Sequence, residues 1–90
     1  MIEILITKEF EDRYARLPKK IQIKAEKQEM LFCRNPFHPS LHTEKLEPRE
    51  KQVWSFRIDK RWRIVFRFYG AGRVLLLTVG PHDWIYRIQW

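Results

Sequence analysis

Residues 54–66 read W-S-F-R-I-D-K-R-W-R-I-V-F, and their period decides how the rest of the chain is arranged. Trp54, Phe56 and Ile58 alternate with Ser55, Arg57 and Asp59. Beyond Asp59-Lys60-Arg61, Trp62, Ile64, Phe66 and Phe68 alternate with Arg63, Val65, Arg67 and Tyr69. A period of two is the mark of a half-buried strand, so this stretch predicts two antiparallel strands joined by a tight turn. Downstream, Gly70-Ala71-Gly72 turns the chain into Val74–Val79, apolar on both faces as a central strand is, and Gly80-Pro81 stops it. The tail from His82 to Trp90 is short and aromatic and reads as one helical turn or an edge segment.

Upstream the period changes to that of a helix. Ile2, Ile4 and Ile6 alternate with Glu3, Leu5 and Thr7 as a first short strand, after which Thr7 is placed to cap a helix. Phe10, Tyr14 and Leu17 fall at i, i+4 and i+7 on that helix. Pro18 ends it and opens a second, running to about Arg34, with Ile21, Ala25, Gln28 and Phe32 near one face. Asn35-Pro36-Phe37-His38-Pro39-Ser40 cannot be helical, because each proline holds its predecessor in extended geometry, and a loop is expected from there to about Gln52. The resulting order, β-α-α-β-β-β, predicts a single α+β domain over residues 1–90. Two N-terminal helices are expected on one face of a four-stranded, mainly antiparallel sheet, with the first strand beside the last.

Composition narrows the classes of function. The chain has 90 residues with 18 Lys and Arg against 11 Asp and Glu, a formal net charge of +7. Residues 1–44 carry eight basic and seven acidic side chains, about +1, whereas residues 45–90 carry ten and four, about +6. The excess therefore lies in the half that holds most of the aromatic residues, a combination that favours a polyanionic partner, nucleic acid first. Apolar residues at 44% exclude a disordered charged tail, and the single cysteine, Cys33, excludes a disulfide framework and a cysteine-based zinc site. No apolar run approaches the roughly 20 residues of a membrane span. The opening M-I-E-I-L-I-T-K-E-F has neither the basic start nor the long apolar run of a signal peptide, which points to a cytoplasmic, soluble protein with no membrane partner.

Strand parity locates the chemistry. If the aromatic positions of the 54–66 hairpin face the helices, Arg57, Arg63 and Arg67 project together from the opposite, open face. Grouped guanidinium groups repel one another unless an anion joins them, and each fork can give a phosphate two parallel hydrogen bonds. Asp59 at the hairpin end could neutralise part of this charge. His82 follows directly on Gly80-Pro81 at the end of the central strand, Tyr86 lies one helical turn further on, and Trp84 offers a ring for base stacking. Lys45, Lys60 and Arg61 extend the cationic set towards a nucleic-acid backbone. His38 and His42 share i, i+4 spacing, but their proline-containing loop cannot align them on a metal, and no metal or other cofactor is expected. The sequence has no glycine-rich phosphate loop, nucleophile elbow or His-Glu-x-x-His motif.

The hairpin stretch resembles the central hairpin of the RelE/ParE toxin superfamily, closest to its RelE-like and YoeB-like ribonuclease members. The helical hairpin with L-P-K-K-I-Q, the segment N-P-F-H-P-S-L-H-T-E-K-L and the ending V-G-P-H-D-W-I-Y extend the resemblance over essentially the whole chain, in the expected order. The resemblance implies the toxin of a type II toxin–antitoxin system: a ribosome-dependent endoribonuclease that cuts mRNA by attack of a ribose 2′-hydroxyl on the adjacent phosphate, held inactive by a cognate antitoxin. It implies that Arg63 steadies the scissile phosphate, that Arg57 is a second cation beside it, that His82 stands at the active-site Arg or His position, and that Tyr86 is the aromatic that orients substrate. Where RelE has two lysines before the turn, this chain has Ser55 and Arg57. The YoeB-like general-base glutamate falls near Ser40, with Glu44 and Glu47 as nearby substitutes, and the base is left open. Two other functions share the fold: a ParE-like poison of DNA gyrase, and a non-catalytic member that keeps only RNA or antitoxin binding.

Overall fold

The computed structural model describes residues 2–90. Strand β1 (Glu3–Ile6) leads into α1 (Lys8–Ala15) and α2 (Lys19–Arg34), followed by a two-residue strand β2 (Glu44–Lys45), then β3 (Trp54–Arg57), β4 (Trp62–Phe68), β5 (Arg73–Pro81) and a one-turn helix α3 (His82–Ile85). The sheet order is β1-β5-β4-β3-β2. All neighbours are antiparallel except β1 and β5, which run parallel. The sheet is thus mixed and five-stranded rather than four-stranded, and there are three helices rather than two. The added strand is Glu44–Lys45, in the region expected to be loop. Two residues carry no readable period, and only their pairing with Ser55 and Trp54 makes them a strand.

Thr7 does two jobs at the first junction. Its Oγ1 accepts from the Phe10 amide as the N-cap of α1, and it donates to the Leu77 carbonyl of β5 at 2.8 Å. Leu77 is the extra residue of a bulge: Val65 pairs with Thr78 and Phe66 with Leu76. The bulge keeps Val74, Leu76 and Val79 all on the helical side, although Leu76 and Val79 are an odd number of residues apart. Across the helical hairpin, Tyr14 Oη donates to the Gln22 carbonyl and Gln22 Nε2 donates back to the Tyr14 carbonyl, locking α1 to α2.

The main core lies between these helices and the sheet. Phe32 is fully buried, stacked on Phe56 with centroids 4.5 Å apart and edge-on to Phe66 at 4.9 Å. Each such ring contributes about 1.5–3 kcal/mol by leaving water. A second, smaller core forms on the other face, where Leu46, Val53, Val65 and Ile85 are buried with Leu77, Trp84 and Trp90 packed against them. That face is therefore not open along its length: α3 and the tail behind it cover the middle of the sheet.

One carboxylate on α2 works against the fold. Burial, and then the neighbouring Glu26, push Glu29 up to about 7 from an ordinary 4.5. Because the folded value is raised, folding favours the protonated acid. The cost is absent below about pH 4.5 and grows as pH rises through 7, reaching on the order of 1–3 kcal/mol. Glu29→Gln is therefore expected to raise the melting temperature at pH 8 and leave it unchanged near pH 4, as scanning calorimetry at the two pH values will show.

Candidate nucleic-acid site

The site is built on the turn between β3 and β4. Asp59 Oδ1 accepts from the amides of both Arg61 and Trp62 at 2.9 Å, closing the turn and turning the carbonyls of Asp59 and Lys60 inward. Burial raises the pKa of Asp59, but these two bonds and one from Lys24 outweigh it and hold the carboxyl below its usual range. Arg63 fills the space behind the turn. Its Nη1 donates to the carbonyls of Asp59 at 2.8 Å, Lys60 at 3.1 Å and Trp62 at 3.2 Å, and the residue is only 5% exposed. Arg57 is its direct cross-strand partner on the same face. Burial first, and then the Arg57 charge, lower the Arg63 pKa, while Glu44 and Asp59 pull it back up.

Arg57, Arg63, Lys60, Arg61, His82 and Arg87 line one cavity of about 660 Å³, with Pro81, Asp83 and Trp84 completing its wall. It holds five permanent cations and one carboxylate. Among the described residues none of the five has a carboxylate within 4.0 Å. His82 enters from α3, pinned by its amide to the Arg61 carbonyl at 2.6 Å. Its Nδ1 lies 3.2 Å from Asp83 Oδ1, which leaves Nε2 free of that contact, and its ring packs on Tyr86 with centroids 4.5 Å apart. A cavity with this charge and with planar donors fits a phosphodiester.

Four of the expected residues differ from expectation in their surroundings or their place. Arg63 does not project into solvent; it is buried and tied to backbone carbonyls, which immobilises it. Arg67 is exposed but lies four residues along β4, about 13 Å from Arg63, beyond Val65, which the second core covers. It does not join the cavity. Lys45 pairs with Trp54 and places its Nζ 5.6 Å over that ring, away from the arginines. Trp84 lines the cavity, but the Arg13 guanidinium lies 4.3 Å over its ring, and a Cβ on Gly80 would come within 2.4 Å of it. The ring is a structural wedge that fixes α3, and it is not a free stacking platform. Arg87 and Arg13 were not anticipated. Arg87 stands one residue after Tyr86 and carries no period, and Arg13 comes from a helix on the far side of the sequence.

Of the open choices for a base, Glu44 is the one the sheet brings near. It pairs with Ser55, which pairs with Val65, so it belongs to the same face as Arg57 and Arg63, and its charge acts on Arg63. With Tyr86 and Ile85 it lines an adjoining cavity of about 260 Å³. Glu47 lines that cavity as well, without a marked effect on Arg63. Ser40 is held by His38 Nδ1 at 2.8 Å. Among the described residues no group of three or more His, Cys, Asp or Glu could hold a metal ion, and no helix is long and apolar enough to cross a membrane.

Residues 4–82 match the model of the HigB-like toxins, described as RelE-like toxins of type II toxin–antitoxin systems, and the chain belongs to that family. A Haemophilus influenzae protein of uncharacterised function is 30% identical over 71 residues, 79% of this chain and 67% of its own length. Among solved structures, the YoeB/ParE toxin from Agrobacterium tumefaciens is 25% identical with a TM-score of 0.74, covering 90% of this chain and 99% of that one. YafQ from Escherichia coli shares the fold at 12% identity and TM-score 0.75, covering 96% and 99%. So does the archaeal RelE of the RelE–RelB complex from Pyrococcus horikoshii, at 15% identity and TM-score 0.72, covering 89% and 93%.

Facing like charges destabilise a strand pair by about 0.2–1 kcal/mol. Arg57→Met is therefore expected to raise the melting temperature by a few degrees. Sulfate, added to fill the cavity, should stabilise the native protein more than this variant; differential scanning fluorimetry across a sulfate series measures both effects.

Proposed function

We propose that this toxin is a ribosome-dependent mRNA endonuclease acting in the cytoplasm and restrained by a cognate antitoxin. The observation that carries the reading is the convergence of Arg57, Arg63 and His82 on one cation-lined cavity, with Glu44 on the same face. Transfer through a phosphorane places a second negative charge on the phosphate, and donors already fixed in place stabilise it without reorganising. Arg63 is such a donor, because turn carbonyls hold it before substrate arrives. Arg57 contributes the second cation, relieving its repulsion with Arg63 as the anion enters.

In this scheme Glu44 takes the proton from the ribose 2′-hydroxyl as its oxygen attacks the adjacent phosphorus. The bond from phosphorus to the 5′-oxygen breaks, and protonated His82 delivers a proton to that oxygen, leaving a 2′,3′-cyclic phosphate upstream. Asp83 on Nδ1 orients the imidazole for transfer from Nε2. Tyr86, against the His82 ring, offers its exposed face to a base. Lys60, Arg61 and Arg87 hold flanking phosphates. No step needs a metal or cofactor.

Support for an antitoxin comes from the family and from the solved RelE–RelB and YoeB–YefM complexes of structural neighbours. A cationic surface of this kind suits an acidic inhibitor that folds on it.

Primer extension on a translated reporter mRNA after brief induction tests the reading. Wild-type protein is expected to leave cuts in phase with the codons. Arg63→Ala should abolish them, and His82→Ala should reduce them by about 10²–10⁴-fold, the usual worth of a general acid. Growth arrest with intact mRNA would contradict the scheme in favour of a gyrase-type target. Neither arrest nor cuts would leave a binding module.

A further inference from the structure

Lys45 and Arg67 stand outside the arginine cavity, and each adjoins a group of aromatic rings at the surface. Phe37 and Phe68 lie nearly parallel, 26° apart with centroids 6.0 Å from each other, and both stand close to perpendicular to Trp54 at 5.6 Å. Phe37 is 53% and Phe68 41% exposed, although Phe32, Phe56 and Phe66 nearby are fully buried. The loop that carries Phe37 is tied down. The Phe37 amide donates to Asn35 Oδ1 and the His38 amide to the Asn35 carbonyl, both at 3.0 Å, while Thr43 Oγ1 donates to the Pro36 carbonyl. Lys45 holds its Nζ 5.6 Å over the Trp54 ring, Arg34 comes three residues before Phe37, and Arg67 precedes Phe68 on the other face of β4. None of these three cations has a carboxylate within 4.0 Å among the described residues. The segments that supply the two exposed rings, residues 30–43 and 60–82, contain no Asp or Glu at all.

Rings fixed at the surface and edged by cations match a single-stranded nucleic acid, in which every base has a flat face to stack and the backbone answers the charge. An apolar protein surface would cover the rings and leave the cations unanswered. A second copy of this chain would set like charges against each other, on a molecule that already carries +7. We infer that Phe37, Phe68 and Trp54, together with Lys45, form a second nucleic-acid site that stacks unpaired bases; that its ligand is RNA rests on the reading above. The rings lie on the helical side of the sheet, opposite the face that carries Arg57 and Arg63. Phe68 is at the end of β4 away from the turn, about 16 Å along the strand from Arg63. The site therefore holds RNA apart from the phosphodiester that is cut, as an anchor that takes no part in the chemistry.

The test is isothermal titration of the full chain with single-stranded oligo(A) carrying 2′-O-methyl groups, which has no attacking hydroxyl. Inorganic polyphosphate, a polyanion without bases, is titrated beside it. Wild type is compared with Phe37→Ser, with Phe37→Ser/Phe68→Ser and with Lys45→Ala. Thermal melts check that each is folded, and Phe37→Ser alone, a change confined to a loop, decides the matter if the double variant does not fold. Both ring variants are expected to raise Kd for oligo(A) at least about fivefold and to leave Kd for polyphosphate unchanged. In Lys45→Ala the slope of log K for oligo(A) against log salt should fall by about 0.7. Wild-type Kd for oligo(A) in the ring variants, or an equal loss for polyphosphate, would overturn the inference. A wild-type dimer in sedimentation velocity that the ring variants dissociate would overturn it in favour of an interface between copies. Failure of the wild type to bind oligo(A) would overturn it too, while codon-phased cuts would still uphold the endonuclease reading. Oligo(A) binding that depends on the rings, from a protein that leaves no cuts, would uphold the site and overturn that reading alone.

Discussion

Arg57 and Arg63 face each other across two hydrogen-bonded strands, and Arg63 is almost wholly buried. Two cations in that position repel, and one of them has also lost most of its water. What holds them is the turn between the strands. Its carbonyls, aligned by the two amide bonds to Asp59, take the Nη1 protons of Arg63. The arrangement trades stability for a guanidinium that is fixed before any anion arrives. Such a trade is the common pattern where a site must bind charge and the rest of the fold tolerates the strain.

The two faces of the sheet divide the work. On one, the helical hairpin and the phenylalanine cluster around Phe32 supply most of the buried apolar area. On the other, a small second core fixes the short helix that carries His82 and Tyr86. Ile85 is its buried anchor, and Trp84 sits against the uncovered backbone of Gly80 under the Arg13 guanidinium. Arg13 comes from α1, so a residue of the first helix steadies the last one beside the cavity. The bulge at Leu77, bonded to Thr7, keeps β5 facing both cores correctly along its length.

The elements with a period were legible in the sequence. Alternation marked the 54–66 hairpin, the 3.6 repeat of Phe10, Tyr14 and Leu17 marked α1, and Thr7 and Pro18 marked helix starts close to where the structure has them. The pairing of β1 beside β5 followed from strand order. Glu44–Lys45 was not legible, because a two-residue strand exists only through its neighbour. Parity placed Arg57 and Arg63 on one face. It put Arg67 on that face as well, but parity says nothing of distance along a strand or of the tail that packs over Val65. The packing of Trp84 was not legible for a related reason: its neighbours Gly80 and Arg13 are set by tertiary packing, and an aromatic in a basic segment looks the same whether it is wedged or free. The effect of Glu44 on Arg63 likewise needs the β2 pairing before it can be seen.

The chemistry of the cut end tests the central claim most directly. Fragments from a ribosome-bound mRNA cut by the purified protein can be resolved by mass spectrometry, beside an mRNA carrying one 2′-deoxy residue at the cut position. A 2′,3′-cyclic phosphate on the upstream fragment, with no cut at the 2′-deoxy position, is the predicted result. A 3′-hydroxyl with a 5′-phosphate downstream, or unimpaired cutting of the deoxy substrate, would contradict it.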